Sequence, residues 1–243
     1  RAAIDAAGHP ALLAVDCIAT LGCDEFRFDA WGADIMVAAS QKGLMVPPGL
    51  GFVWFSEKAR LATLTADLRT PYWDWTPRIS PQAFHQYFGG TAPTHHLFGL
   101  AESLKMILDE EGLDHVWARH ATLARTVWAA FDAWGTAGDI ALNIVNPAAR
   151  GHSVSAARIG GGGAGRLRKW CETEAGVTLG IGLGMAEPGT PQEGDFLRVA
   201  HMGHVNAHMT LGALAVMETG MLALDIPHGD GALAAATAVC SGK

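Results

Sequence analysis

Asp16 and Lys42 are the residues of this chain whose types and places suit covalent chemistry on an aldehyde. Each closes a short apolar run: Asp16 follows Ala11-Leu12-Leu13-Ala14-Val15, and Lys42 follows Ala33-Asp34-Ile35-Met36-Val37-Ala38-Ala39 through Ser40 and Gln41. Continuous apolar runs of this length read as strands buried on both faces of a parallel sheet. In open sheets of that kind, ligands bind beyond the carboxyl ends of the strands, where both residues then lie. A lysine amine forms a Schiff base with an aldehyde, and a carboxylate facing a pyridine nitrogen keeps that nitrogen protonated. The pair therefore matches the two protein groups that pyridoxal phosphate requires. Taken singly, the acid is an ordinary strand-end cap or ion-pair partner and the lysine an ordinary loop charge; the pairing carries the reading.

The elements that must position this pair come early in the chain. A third apolar run, Gly51-Phe52-Val53-Trp54-Phe55, follows Pro47-Pro48-Gly49 and completes a cluster of three strands. Arg69-Thr70-Pro71-Tyr72-Trp73-Asp74-Trp75 and Phe88-Gly89-Gly90-Thr91 read as loops at a site or interface. Leu97, Leu100, Leu104 and Leu108 share a helical face, which predicts a helix from Thr94 to about Glu111 stopped by Gly112. Val116, Leu123, Val127 and Trp134 predict a second helix over 114–134. The remainder reads as a smaller α+β domain, with strands near 141–145, 153–159 and 196–200 and helices over 165–176 and about 206–224. The expected boundary lies near residue 110, giving a large domain over 1–110 and a small domain over 111–243 that begins with the bridging helix. The opening Arg1-Ala2-Ala3-Ile4-Asp5-Ala6-Ala7-Gly8 reads as the end of an amphipathic helix with neither cap nor initiator Met, so a piece of a longer chain is expected.

Composition narrows the function classes. Over 243 residues, 49% are hydrophobic and 17% charged, a balance that excludes a largely disordered chain. Lys and Arg number 17 against 24 Asp and Glu, a formal charge of -7 without a basic run, which argues against a nucleic-acid partner. No apolar stretch reaches the roughly 18 to 20 residues of a membrane-spanning helix, so no membrane role is expected. Cys17, Cys23, Cys171 and Cys240 form no C-x-x-C pair, which points to a reducing compartment, the cytoplasm.

Leu12-Leu13-Ala14-Val15-Asp16-Cys17-Ile18-Ala19-Thr20-Leu21-Gly22, followed by 34–52 (D-I-M-V-A-A-S-Q-K-G-L-M-V-P-P-G-L-G-F), resembles the cofactor-lysine region of class V aminotransferases. The likeness is to the serine-glyoxylate and alanine-glyoxylate enzymes of that family. It continues through R-T-P-Y-W-D-W (69–75), H-H-L-F-G-L-A-E-S-L (95–104) and F-L-R-V-A-H-M-G (196–203), so it covers nearly the whole chain. The resemblance implies an α/β fold of the aspartate-aminotransferase type (fold type I): a mostly parallel sheet with helices on both faces, plus the smaller α+β domain. It also implies that Lys42 binds pyridoxal phosphate covalently, that Asp16 pairs with its pyridine nitrogen, that Ile18 touches the ring and that Gln41 lies beside the cofactor. Arg198 takes the place of the arginine that holds the substrate carboxylate, a task suited to a planar fork. Thr91 takes the place of a threonine that reaches the cofactor phosphate of a partner subunit, which implies a homodimer with shared sites. The tyrosine of that motif falls at Phe88, with Tyr87 the nearest phenol. The glycine-rich phosphate loop and the ring-stacking aromatic of the family have no counterpart in these residues, which fits a truncated chain.

The expected reaction is ping-pong transamination of a small amino acid, serine or alanine, with glyoxylate or another 2-oxo acid; aspartate is an alternative donor. R-T-P-Y-W-D-W leans the likeness towards the serine enzymes. A cysteine desulfurase or related lyase would carry His before the lysine, where this chain has Gln41. A catalytically inactive binding homologue is the remaining alternative. His201, His204 and His208 have a spacing that would align three imidazoles on a helix, but Gly203 interrupts it, and no metal site is expected; they read as loop and cap residues near Arg198. His95-His96 reads as a helix start with one ring packed and one exposed, with a supporting role beside Thr91 as the alternative. Gly160-Gly161-Gly162-Gly163 reads as a flexible loop before a helix. Gly180-Ile181-Gly182-Leu183-Gly184 lacks the strand-to-helix context of a dinucleotide fingerprint and reads as a flexible loop at the mouth of the site.

Overall fold

The computed structural model describes residues 1–242. By its contacts the chain divides into two units: Arg1–Leu21 with Glu25–Gly112, and Gly22–Asp24 with the residues from Leu113 on.

The first unit opens with the short helix α1 (Ala2–Ala6) and contains a three-stranded sheet in the order β1 (Ala14–Asp16), β2 (Ile35–Ala39), β3 (Gly51–Phe55). β1 and β2 are parallel, with Ala14 opposite Ile35 and Asp16 opposite Val37. The third run is antiparallel rather than parallel, with Ala39 opposite Gly51, because segment 40–50 holds no crossover helix and folds straight back. Nor are the strands buried on both faces: Ala14 and Asp16 are exposed, as are Val53 and Trp54 of β3. Burial concentrates in β2 and the loop after it, at Met36, Ala38, Leu44, Val46 and Leu50. Helices α2 (Glu57–Ala62) and α3 (Thr76–Ile79) follow, α2 capped by the Ser56 hydroxyl, which accepts from Ala59 N–H. Helix α4 (Thr94–Lys105) runs on as a π-helical segment, Met106–Glu111, and ends at Gly112, whose φ of 83° favours glycine.

The second unit begins with helix α5 (Leu113–Trp134), then β4 (Ile140–Leu142), β5 (Val154–Ile159), α6 (Gly163–Ala175), β6 (Gly180–Ile181), β7 (Phe196–Ala200), α7 (Ala207–Ala223) and α8 (Ala232–Cys240). The sheet is antiparallel throughout, in the order β4-β5-β7-β6. Trp134, Phe131, Leu167, Leu197, Leu214, Met217 and Met221 are fully buried in one core between this sheet and its helices. Each contributes about 1.5 to 3 kcal/mol by leaving water. The Trp134 indole N–H is satisfied by Glu218 Oε2 at 2.8 Å, which lets so large a polar-tipped ring be buried. The glycine run before α6 is pinned, since Gly162 N–H donates to Asp195 Oδ1 at 2.7 Å. Sequence periodicity locates α4, α5, β5, β7 and α7 to within a few residues. It misses α8, an alanine-rich helix of nine residues without a polar face, and β6, whose glycines imitate a loop. Among the described residues no helix is long and apolar enough to cross a membrane.

Candidate active site

Parallel pairing of β1 and β2 brings Asp16 and the segment carrying Lys42 to the same carboxyl edge of the first unit's sheet. Directly after β1 the chain turns so that Ile18 N–H donates to Asp16 Oδ1 at 2.8 Å. This local bond fixes the carboxylate and leaves Oδ2 with no hydrogen-bond partner among the described residues. Asp16 is thus an exposed acid, not the buried one read from its apolar run. Gln41 is exposed and Lys42 half-buried, and among the described residues no acid or carbonyl engages the Lys42 amine.

The loop that carries Lys42 is held from within and from α4. Ser40, fully buried, donates through Oγ to the Pro47 carbonyl at 2.8 Å and accepts from Leu50 N–H at 3.2 Å. Met45 N–H donates to the Lys42 carbonyl at 2.9 Å and closes a turn at the lysine itself. From α4, His96 Nε2 meets the Pro48 carbonyl at 3.1 Å, and the Ser103 hydroxyl donates to the Leu44 carbonyl. A carbonyl only accepts, so His96 carries its proton on Nε2. His96 and Ser103 are seven residues apart and share a helix face, with Gly99 between them facing Val46. Gly49 completes the fit: a Cβ there would lie 2.6 Å from His96 Nε2, and its φ of 150° excludes other residues at little cost. The sequence reading of His95-His96, a helix start with a supporting role beside Thr91, does not place His96 on the Pro48 carbonyl, and it gives Ser103 no role. The available signal was a pair of polar residues spaced to share a face of an otherwise apolar helix.

Tyr87 and Thr91 lie together in the segment leading to α4, both exposed. Tyr87 ends a 3-10 turn (Phe84–Tyr87) and meets the rings of Phe84 and Phe88 edge-on at 6.2 and 6.5 Å. Arg78 steadies the segment, donating to the Asp74 carbonyl at 2.7 Å with its guanidinium 5.4 Å from the Tyr72 ring centre.

Arg198 belongs to the second unit, on β7 opposite Gly180 of β6 and Ala156 of β5. Its Nε–H donates to the Ile181 carbonyl at 2.7 Å, and among the described residues nothing else engages the guanidinium. Gly180-Ile181 is therefore strand rather than the flexible loop expected of it. His201 is also not a surface loop residue. Its ring is fully buried, with Nδ1 2.9 Å from the His152 carbonyl and Nε2 3.0 Å from Ser155 Oγ, which also accepts from Trp128 Nε1 at 2.8 Å.

The model of the family "Aminotransferase class-V" matches residues 3–194. Among curated proteins, an L-aspartate–glyoxylate aminotransferase of Paracoccus denitrificans is 40% identical over 228 residues, 93% of this chain and 54% of that protein. A serine–glyoxylate aminotransferase of Methylorubrum extorquens is 35% identical over 245 residues, 98% of this chain and 58% of that protein. The chain thus spans little more than half the length of these relatives. Among solved structures, a pyridoxamine-pyruvate aminotransferase from Mesorhizobium loti superimposes with a TM-score of 0.84 at 26% identity, over 99% of this chain and 59% of that one. A ureidoglycine-glyoxylate aminotransferase from Bacillus subtilis gives 0.80 at 26% identity, over 95% and 58%. A family match across most of the sequence and a shared fold, around a free lysine and an oriented carboxylate at one sheet edge, make this chain a member of the class V aminotransferases.

Proposed function

We propose that this chain serves a pyridoxal-phosphate-dependent transamination, moving the amino group of a small amino acid to glyoxylate or another 2-oxo acid. The observation that carries the reading is the sheet edge where Asp16, one oxygen held by Ile18 N–H and the other open, shares the carboxyl side of β1 and β2 with an unengaged Lys42 amine. An open, oriented carboxylate and a free amine are the donor set that pyridoxal phosphate needs.

When bound, pyridoxal phosphate supplies an aldehyde that condenses with amines and a protonated ring that withdraws electrons from substrate Cα. Asp16 holds the proton on the pyridine nitrogen, and Ile18 keeps that carboxylate aimed. Lys42 would hold the cofactor through its amine, and that amine, when free, would serve as the base that takes the proton from substrate Cα. The Thr91 hydroxyl, with Tyr87 near it, would donate to the phosphate of a partner subunit's cofactor, and Gln41 would lie alongside its own. Arg198 pairs with the carboxylate that donor and acceptor have in common.

Serine, alanine and aspartate all remain donors within this reading, and relatives named for aspartate and for serine are both similar to this chain. A desulfurase is disfavoured by Gln41 before the lysine and by the burial of Cys17, Cys23 and Cys171. The reading extends to a cytoplasmic homodimer, in keeping with four unpaired cysteines and with the place Thr91 takes in the family pattern. The test is chemical: borohydride reduction of the yellow protein should leave a phosphopyridoxyl group on the Lys42 peptide. Lys42→Ala should turn over amino acid at least about 10³-fold more slowly, since it removes both the covalent attachment and the base. Normal turnover by that variant overturns the reading.

A further inference from the structure

The run Gly180-Ile181-Gly182, unexplained as a nucleotide fingerprint, is in the structure the strand β6 and the residue after it, laid against the residue assigned to the substrate carboxylate. Gly180 is paired directly opposite Arg198, and Ile181 opposite Leu197. A Cβ on Gly180 would stand 3.1 Å from Arg198 Cβ and 3.5 Å from Arg198 Nε, and one on Gly182 would stand 2.2 Å from Phe196 Cβ. The strand lies this close to β7 only because these two residues have no side chains. That approach delivers the Ile181 carbonyl to Arg198 Nε at 2.7 Å. The same carbonyl accepts Leu183 N–H at 3.0 Å, and Arg168 Nε of α6 donates to the Leu179 carbonyl at 3.2 Å, so the segment is fixed on both sides of its contact with Arg198.

We propose that Gly180-Ile181-Gly182 is a positioning element for Arg198, one that fixes how a carboxylate docks. An arginine offers a carboxylate either its Nε and one Nη, side-on, or both Nη groups, end-on. With Nε–H committed to the Ile181 carbonyl, the end-on face is the one left open, and among the described residues Nη1 and Nη2 have no partner. The carboxylate of an α-amino or α-oxo acid therefore docks end-on, on a guanidinium whose rotation about Cδ–Nε the Ile181 carbonyl has stopped. This inference rests on the carboxylate role of Arg198 and deepens it; the glycines touch no substrate.

The experiment uses the cofactor-loaded protein and two amines that lack a Cα–H and so bind the cofactor without transamination: 2-aminoisobutyrate, which has a carboxylate, and tert-butylamine, which does not. Their dissociation constants are read from the visible spectrum, beside the constant for pyridoxal phosphate itself. Gly180→Ala and Gly182→Ala should weaken 2-aminoisobutyrate about tenfold, the order expected of a carboxylate clamp displaced by a fraction of an ångström. tert-Butylamine and pyridoxal phosphate should be unchanged. In turnover, KM for both donor and 2-oxo acid should rise with kcat nearly kept. Equal weakening of both amines, or of neither, overturns the proposal. Arg198→Lys separates the layers: if it weakens 2-aminoisobutyrate and the glycine variants do not, the positioning role fails while the Arg198 role stands. If Arg198→Lys leaves 2-aminoisobutyrate unchanged, the Arg198 role itself fails. Should the alanine variants not fold, a crystal structure of the parent protein with 2-aminoisobutyrate decides: a carboxylate on Nη1 and Nη2 with Nε still on Ile181 supports the proposal, and a carboxylate on Nε ends it.

Discussion

At the scale of single residues, the groups proposed to meet cofactor and substrate are ones the described residues leave open. Lys42 and Arg198 keep nitrogens without partners among the described residues, whereas Arg158 is consumed by Asp139 and Asp195 and Arg60 by Glu57. Residue types and strand ends place Asp16 and Lys42 at one sheet edge from the sequence alone, and the parallel pairing of β1 and β2 agrees with that placement. The burial of His201 was not legible, because its partners lie 46 and 49 residues away on β5 and just before it. That histidine carries a pH prediction. The His152 carbonyl requires a donor and Trp128 N–H already donates to Ser155, so His201 is the neutral tautomer with its proton on Nδ1. Burial is the main cause that pushes its pKa down to about 4, helped by His120 and His152 and opposed by the His152 carbonyl and Asp24. A depressed histidine pKa means that the unfolded chain binds the proton first, so stability is flat above the ordinary value near 6.5 and falls as pH drops towards 4. The loss is on the order of 3 kcal/mol across that window. Urea unfolding followed from pH 7.5 to 4.5 should show this slope, and His201→Gln should flatten it; an equal slope in the variant would remove His201 as the cause.

At the scale of elements, the sequence is readable wherever one face is apolar and one is not. The leucines of α4 and the alternation in β7 located those elements, and glycine stops closed α4 and α6 where expected. It was unreadable where an element owes its place to a neighbour's backbone, as with β6 on β7 and the 40–50 loop on α4. That loop is where α4 serves the site. His96 and Ser103 hold the carbonyls of Pro48 and Leu44, the two ends of a short arc beginning two residues beyond Lys42. Each lost hydrogen bond should cost about 1 kcal/mol of stability. The larger effect should be on the lysine, since a loosened arc lets the amine sample positions that cannot reach the cofactor. In His96→Ala with Ser103→Ala, pyridoxal phosphate should dissociate several-fold faster, amide exchange over residues 43–50 should rise, and exchange in β5 and β7 should stay put. A uniform rise across the first unit would indicate simple unfolding, and an unchanged dissociation rate would show that α4 does not position the lysine.

At the scale of the whole molecule, exposed apolar surface is distributed unevenly. In the first unit Leu64, Leu68, Tyr72, Trp73, Phe84 and Phe98 lie largely open, Leu68 by 87%, Phe98 by 78% and Trp73 by 74%. Singly exposed apolar residues are ordinary, but six within residues 64–98 are what an association surface would draw on. Thr91 and Tyr87 fall inside that segment, so a cofactor contact supplied across a subunit interface and an apolar patch that drives subunits together would arise from the same residues. A stable homodimer covers about 1,200 to 2,000 Å² or more, and large aromatic and leucine side chains supply such area. If this segment forms the interface, the full-length protein sediments as a dimer. Leu68→Glu with Phe98→Glu should shift it to monomer at micromolar concentration. Because Thr91 would then lose its target, pyridoxal phosphate affinity should fall with dissociation and recover at higher protein concentration, where mass action restores the dimer. Cofactor affinity that ignores protein concentration in the variant would assign Thr91 to its own subunit and leave the apolar segment without a role in the site.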